Sequence, residues 1–198
     1  MRLPRLAPCF IPAVDRSFVD VIGQNPYFVI FPGAGVKQRQ WPAVNFLNIA
    51  EKLQRATGWR AVICGSSIDS PLAAFICSNS PLPMVDWTGR SSVSQMTAII
   101  AGCRLLVSNE TSAIHIAAIL GVPSVCILGG GHYGRFLPYR IEGEEDRPLP
   151  RCVTHSMPCF SCNWNCIYSP EPDVPPPCIL EISSDDVWQE IREILELR

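Results

Sequence analysis

Short apolar runs rich in β-branched and aromatic residues recur at 27–31, 60–64, 84–86, 105–108 and 124–128. None alternates with polar residues, so each reads as a strand buried on both faces. Amphipathic stretches of helix length separate them. Residues 42–56 place Val44, Leu47, Ile49, Ala50 and Leu53 at three- and four-residue spacing, with Pro42 suited to the first turn and Gly58 to the end. Ser92 and Gln95 have the form of a capping box opening a helix over 93–101, which Gly102 closes. Residues 111–120 form another helix, stopped by Gly121 and Pro123, and 69–78 a weaker one with Pro71 in its first turn. This alternation predicts an α/β fold, a Rossmann-like parallel sheet with helices on both faces, because right-handed crossovers place them there.

After Leu128 the pattern changes. Gly129, Gly130 and Gly131 begin a loop, residues 142–146 form an acidic patch, and prolines crowd 170–177. Regular structure is expected again only over 183–197, an amphipathic helix with Val187, Ile191, Ile194 and Leu195 on its apolar side. A helix over 15–22 stands where an interdomain connection would lie. The chain therefore divides into an N-terminal segment or linker (1–26), a Rossmann-like domain (27–150), and a cysteine-rich segment with a final helix packing back on that domain (151–198).

Composition narrows the partners. With 16 Lys and Arg against 18 Asp and Glu, the net charge is −2, and no basic run marks a nucleic-acid surface. No stretch of about 18 apolar residues is present to span a membrane. Of ten cysteines, all but Cys9 fall into two populations. Cys64, Cys77, Cys103 and Cys126 sit singly in apolar segments, as small buried hydrophobes do. Cys152, Cys159, Cys162, Cys166 and Cys178 crowd the last quarter.

In doubly wound sheets, ligands lie beyond the carboxyl ends of the strands. After the first strand, Pro32-Gly-Ala-Gly35 lets a ligand approach the backbone, and Lys37 or Arg39 can neutralise a phosphate. A glycine turn with two solvated cations explains the same residues equally well. After the fourth strand comes Ser108-Asn-Glu-Thr-Ser-Ala-Ile-His115. Thr111 and Ser112 offer hydroxyls and amides at a helix N-terminus, Glu110 can accept from a sugar, and His115 lies one turn on. Against this, Asn109 or Thr111 can simply cap the helix, and His115 can simply pack.

Taken together, Pro32-Gly-Ala, Gln40-Trp-Pro42, Cys64-Gly65, Thr88-Gly-Arg-Ser-Ser92, Ser108–His115 and Leu120-Gly-Val-Pro123 follow the order of a known signature. Over residues 27–130 and the cysteine tail, the chain resembles the heptosyltransferases, glycosyltransferase family nine. The resemblance implies one half of a GT-B fold, namely the domain that binds ADP-heptose or a similar nucleotide diphosphate sugar. Arg39 takes the place of a donor-phosphate lysine. Glu110, Thr111, Ser112 and His115 match the residues that grip the donor's phosphates and sugar, and Ala34, Gly35, Asp69 and Ser91 fall where members contact phosphate or nucleoside. Glu110 is one methylene longer than the usual Asp, and Ser112 replaces a Gly; both departures bear on which sugar is held.

The implied reaction transfers a sugar to a lipopolysaccharide-core or related glycan, with cations and a helix N-terminus balancing the leaving diphosphate, so no cofactor is required for catalysis. No catalytic base is expected here, because the family carries it, and the glycan or lipid-linked acceptor, on the other domain. The chain is thus expected to bind nucleotide without turnover, in the cytoplasm or peripherally at the inner membrane. The rival readings are a non-catalytic nucleotide-sugar module and a sugar-nucleotide epimerase. Cys159, Cys162, Cys166 and Cys178 have C-x2-C-x3-C-x11-C spacing, which four thiolates can use for a structural zinc; free thiols and disulfides are the alternatives. Trp164 and Tyr168 read as anchors for this tail, and His155 as a solvated loop residue.

Overall fold

The computed structural model describes residues 25–139, 148–168, 171 and 173–197. The helix expected over 15–22, all but the last two residues of the linker expected over 1–26, and the acidic patch lie outside them. Six parallel strands form one sheet in the order β3-β2-β1-β4-β5-β6. They are β1 (Tyr27–Phe31), β2 (Arg60–Ile63), β3 (Met84–Asp86), β4 (Leu106–Asn109), β5 (Ser124–Ile127) and β6 (Arg151–Val153). The order reverses between β1 and β4, which makes the crevice at their carboxyl ends the place for a ligand.

The helices are α1 (Ala43–Thr57), α2 (Ser70–Asn79), α3 (Val93–Gly102), α4 (Ser112–Leu120), a single turn α5 (Pro177–Leu180) and α6 (Ser184–Ile194). They cover both faces of the sheet and divide the core in two. On one face, Phe46, Ile49 and Leu53 of α1 pack with Ile76 of α2 and with Val187 and Ile191 of α6. On the other, Ile99 and Ile100 of α3 pack with Ala113, Ile114 and Ala117 of α4. The strands between them are buried on both sides, which is why their sequences carry no alternation. β3 departs from that expectation: it is the edge strand and only half-buried.

The local signals act as their chemistry requires. Gly58 and Gly121 end α1 and α4 at φ 69° and 67°, left-handed conformations that side chains adopt at a cost. The Ser92 hydroxyl accepts from the Gln95 amide, and the Gln95 side chain returns the bond. Ser183 and Asp186 cap α6 in the same way. Within α1 the buried stripe is rotated slightly from the expected one, so Val44 faces solvent and Phe46 faces the sheet. Two elements carry no periodic signal at all. The three residues of β6 extend the sheet past β5, and Pro177 starts α5 among prolines, so regular structure returns before residue 183.

Trp41 ties this framework together. It is 1% exposed, its indole meets Phe46 edge-on at 5.0 Å, and its Nε1–H donates to the carbonyl of Ile182 at 2.8 Å. The entry to α1 is thereby fixed to the turn that launches α6. Trp41→Phe is expected to cost about 2–4 kcal/mol, from an orphaned buried carbonyl and lost volume. Urea denaturation followed by circular dichroism measures it, and an unchanged midpoint would contradict the role assigned to this bond.

Candidate functional site

The loops beyond β1, β2 and β4 enclose a cavity of about 570 Å3. Of the ten residues expected at a ligand site, Ala34, Gly35, Arg39, Asp69, Ser91, Glu110, Thr111 and Ser112 line it. Lys37 and His115 do not. Lys37 is exposed and reaches away to Asp173, 3.6 Å from its carboxylate. His115 points its Nδ1 to the Tyr139 hydroxyl, and burial holds its imidazole toward the neutral form.

A buried amide fixes the cavity floor. Asn109, at the end of β4, donates from Nδ2 to the carbonyls of Pro32 (2.8 Å) and Gly33 (3.2 Å), and its Oδ1 accepts from the Trp41 amide at 3.1 Å. One side chain therefore binds both ends of the loop that carries Gly35 and Arg39. Asn109 does not cap α4, and Thr111, in the capping position, makes no side-chain bond to the helix; its hydroxyl instead meets Ser108 at 3.1 Å. The first amides of α4 are left without a side-chain cap, which favours an anion there.

Asp69 serves the wall rather than the lumen. Its Oδ2 accepts from the Ser66 amide and hydroxyl, both at 2.8 Å. A Cβ on Gly33 would lie 2.2 Å from its Oδ1, and one on Gly65 would lie 2.8 Å from its Oδ2. Those two glycines are the space that lets the β1 and β2 loops close around one carboxylate.

Arg39 and Glu110 give the cavity its charge. Glu110 is 6% exposed, its Oε2 is buried without a hydrogen-bond partner, and so is Nε of Arg39. Burial pushes the Glu110 carboxyl above its ordinary value, and the Arg39 charge opposes the shift. Ile68, Val93 and Met96 add apolar side chains to the lining. Ile68 and Val93 are 86% and 74% exposed, so a flat apolar group entering between them is the natural way to cover them. Sequence reasoning missed Asn109 as a latch and these three apolar residues, which no motif marks.

The cysteine-rich segment packs on the glycine loop that follows β5 and reaches Arg39 from there. Trp164 packs against Gly129 and Gly131 and lies under the Arg39 guanidinium, whereas Tyr168 is 44% exposed and anchors nothing comparable. His155 is exposed, as expected of a loop. Cys159, Cys162 and Cys166 gather near Cys178, whose thiol is raised chiefly by burial and accepts from the Gly130 amide at 3.5 Å. All four are free thiols, and no group of three or more His, Cys, Asp or Glu among the described residues is placed to hold a metal ion. Cys64, Cys103 and Cys126 are buried in the core as expected, and burial pushes the Cys64 thiol up to about 12; Cys77 is half-buried.

Among the described residues no helix is long and apolar enough to cross a membrane. The chain is 26% identical over 114 residues to the lipooligosaccharide heptosyltransferase 2 of Haemophilus influenzae, covering 55% of this chain and 33% of that protein. It is 30% identical over 152 residues to the lipopolysaccharide heptosyltransferase 1 of Pseudomonas aeruginosa, covering 71% and 40%. The fold superposes on an E. coli ADP-heptose lipopolysaccharide heptosyltransferase II with a TM-score of 0.72 and 20% identity, over 98% of this chain and 54% of that one. The chain thus spans less than half the length of these two curated relatives. The family model for glycosyltransferase family 9 (heptosyltransferase) matches residues 13–145, well over half the sequence, and the chain belongs to that family.

Proposed function

We propose that the cavity holds a nucleotide diphosphate sugar, ADP-heptose or a close relative, as donor for transfer to a lipopolysaccharide-core or similar glycan. The observation that carries this reading is the pairing of a partnerless Arg39 Nε and a partnerless Glu110 Oε2 beside the uncapped start of α4. An anion between guanidinium and helix amides satisfies the first, and a sugar hydroxyl donating to the carboxyl satisfies the second. The apolar lining of Ile68, Val93 and Met96 offers a nucleobase a surface to pack on. Solved E. coli heptosyltransferases with ADP and with a fluorinated ADP-heptose share this fold, at TM-scores of 0.59 and 0.55.

In transfer, the bond from the anomeric carbon to the diphosphate breaks as the acceptor oxygen attacks that carbon. Charge grows on the leaving diphosphate, where Arg39 and the α4 amides balance it, so this reading needs no divalent metal. No residue of the cavity is assigned to deprotonating the acceptor; that base and the acceptor site belong, in this reading, to a facing domain. The reaction then runs on the cytoplasmic side, where nucleotide sugars are made.

Titration calorimetry with ADP and UDP tests the site: saturable binding is expected for one of them, with Arg39→Ala weakening it at least about tenfold. Absence of binding to both would remove the reading. The chain by itself is expected to show no transfer, and robust turnover would overturn the assignment of the base elsewhere. Glu110 supplies a pH-dependent check. Because its folded carboxyl titrates above the ordinary range, its stability contribution is present below that range and is lost as pH rises through the folded value. Glu110→Gln should therefore melt above wild type at pH 7–8, with the gap closing toward pH 4; a pH-independent gap would show that ionisation is not the cause.

A further inference from the structure

The three glycines after β5 are occupied, and by aromatic rings. A Cβ on Gly130 would lie 2.3 Å from the Phe160 ring, and one on Gly131 would lie 2.4 Å from the Trp164 ring. The cysteine-rich loop is pinned into this seat by its backbone: Ser161 N donates to Gly130 O at 2.7 Å and Asn163 N to Gly131 O at 2.9 Å. The Asn163 side-chain Oδ1 takes further bonds from Arg135 (3.2 Å) and His132 (3.1 Å). Ser161, Asn163 and Trp164 hold φ of 69°, 52° and 63°, left-handed conformations that non-glycine residues keep only where surroundings enforce them.

That enforced geometry aims one ring. The Arg39 guanidinium carbon lies 5.1 Å from the Trp164 centroid, and His132 meets the indole edge-on at 5.9 Å. Arg39 has an unpartnered Nε, and no ion pair between described residues is recorded for it, so the indole face is the contact that orients its cation. A long, flexible side chain without such a contact spreads over many rotamers, and each costs affinity for a bound anion.

Resting on the donor-site reading above, we propose that Trp164 is a positioning residue: the cysteine-rich segment reaches the diphosphate end of the cavity through Trp164, whose indole holds the Arg39 guanidinium beside Glu110. The segment then stands behind Arg39 as a support of the site, and Gly129–Gly131 leaves the space for its ring. Trp164 touches no ligand itself.

The test uses the whole chain and whichever of ADP and UDP the wild type binds, with the corresponding nucleoside as comparison. Trp164→Leu is expected to weaken the diphosphate about tenfold and the nucleoside hardly at all, while Trp164→Phe, which keeps a ring face, recovers most of the loss. Gly131→Ala, which drives a methyl into the indole, should reproduce the loss. In an Arg39→Ala background Trp164→Leu should add nothing, since it acts only through that cation. Equal losses for diphosphate and nucleoside, or additive losses in the double variant, would overturn the proposal in favour of a merely structural ring. A wild type that binds and a Trp164→Leu chain that binds equally well would sink this inference alone. A wild type that binds neither nucleotide sinks the donor-site reading, and this inference with it. Thermal melts and amide NMR spectra identify any variant that fails to fold, in which case Trp164→Phe and Gly131→Ala decide the question.

Discussion

The side chain of Asn109 has to satisfy three backbone groups at once, and the shape of the site follows from that. It stands at the end of β4, fully buried, with its amide bridging two carbonyls beyond β1 and the amide that opens α1. A buried amide with both ends paired is rigid, because breaking any of its bonds leaves a polar group without water. The loop between these anchor points is thus held at both ends, and Arg39 projects from a short segment with little freedom. β1 and β4 are hydrogen-bonded neighbours at the reversal of strand order, so the latch spans the one crevice where the helices diverge to opposite faces.

The second constraint comes from the far end of the chain. Trp41 binds Ile182, Arg151 reaches Glu190 and Glu193, and Val187 and Ile191 close the core over α1. The cysteine-rich segment is held between these fixed points, with β6 on one side and α5 on the other. Its own backbone is irregular, yet its aromatic rings enter a cleft that only glycines leave open. A loop of this composition gains its order from the surface it covers rather than from internal hydrogen bonds.

Much of the architecture was legible because each sheet strand is buried on both faces and each long helix on one, and both conditions write directly into hydrophobic spacing. Caps at Ser92 and Gly121 are local chemistry and appear where the residues say. β6 and α5 were not legible, since three residues cannot show a period and proline-rich sequence suggests loops. Eight of the ten residues anticipated from loop position and family resemblance line the cavity. The other two failed for different reasons: the direction of Lys37 depends on Asp173, and that of His115 on Tyr139, partners distant in sequence. Asn109 was visible as a residue in a motif, but its alternatives, cap or latch, are decided only by where Pro32 and Trp41 come to rest.

The Trp41–Ile182 bond joins positions 141 residues apart, and that separation has a kinetic meaning. Closing so distant a contact comes late, after the local helices and the first strand pairings have formed. Until residues 182–191 are in place, the apolar side of α1 has no cover from Val187 and Ile191, and the entry to α1 has no fastening. The site loop can be latched by Asn109 before then, but its other support arrives only with the turn before α6. Docking of α6, rather than completion of the sheet, is therefore the step that fastens the entry to α1.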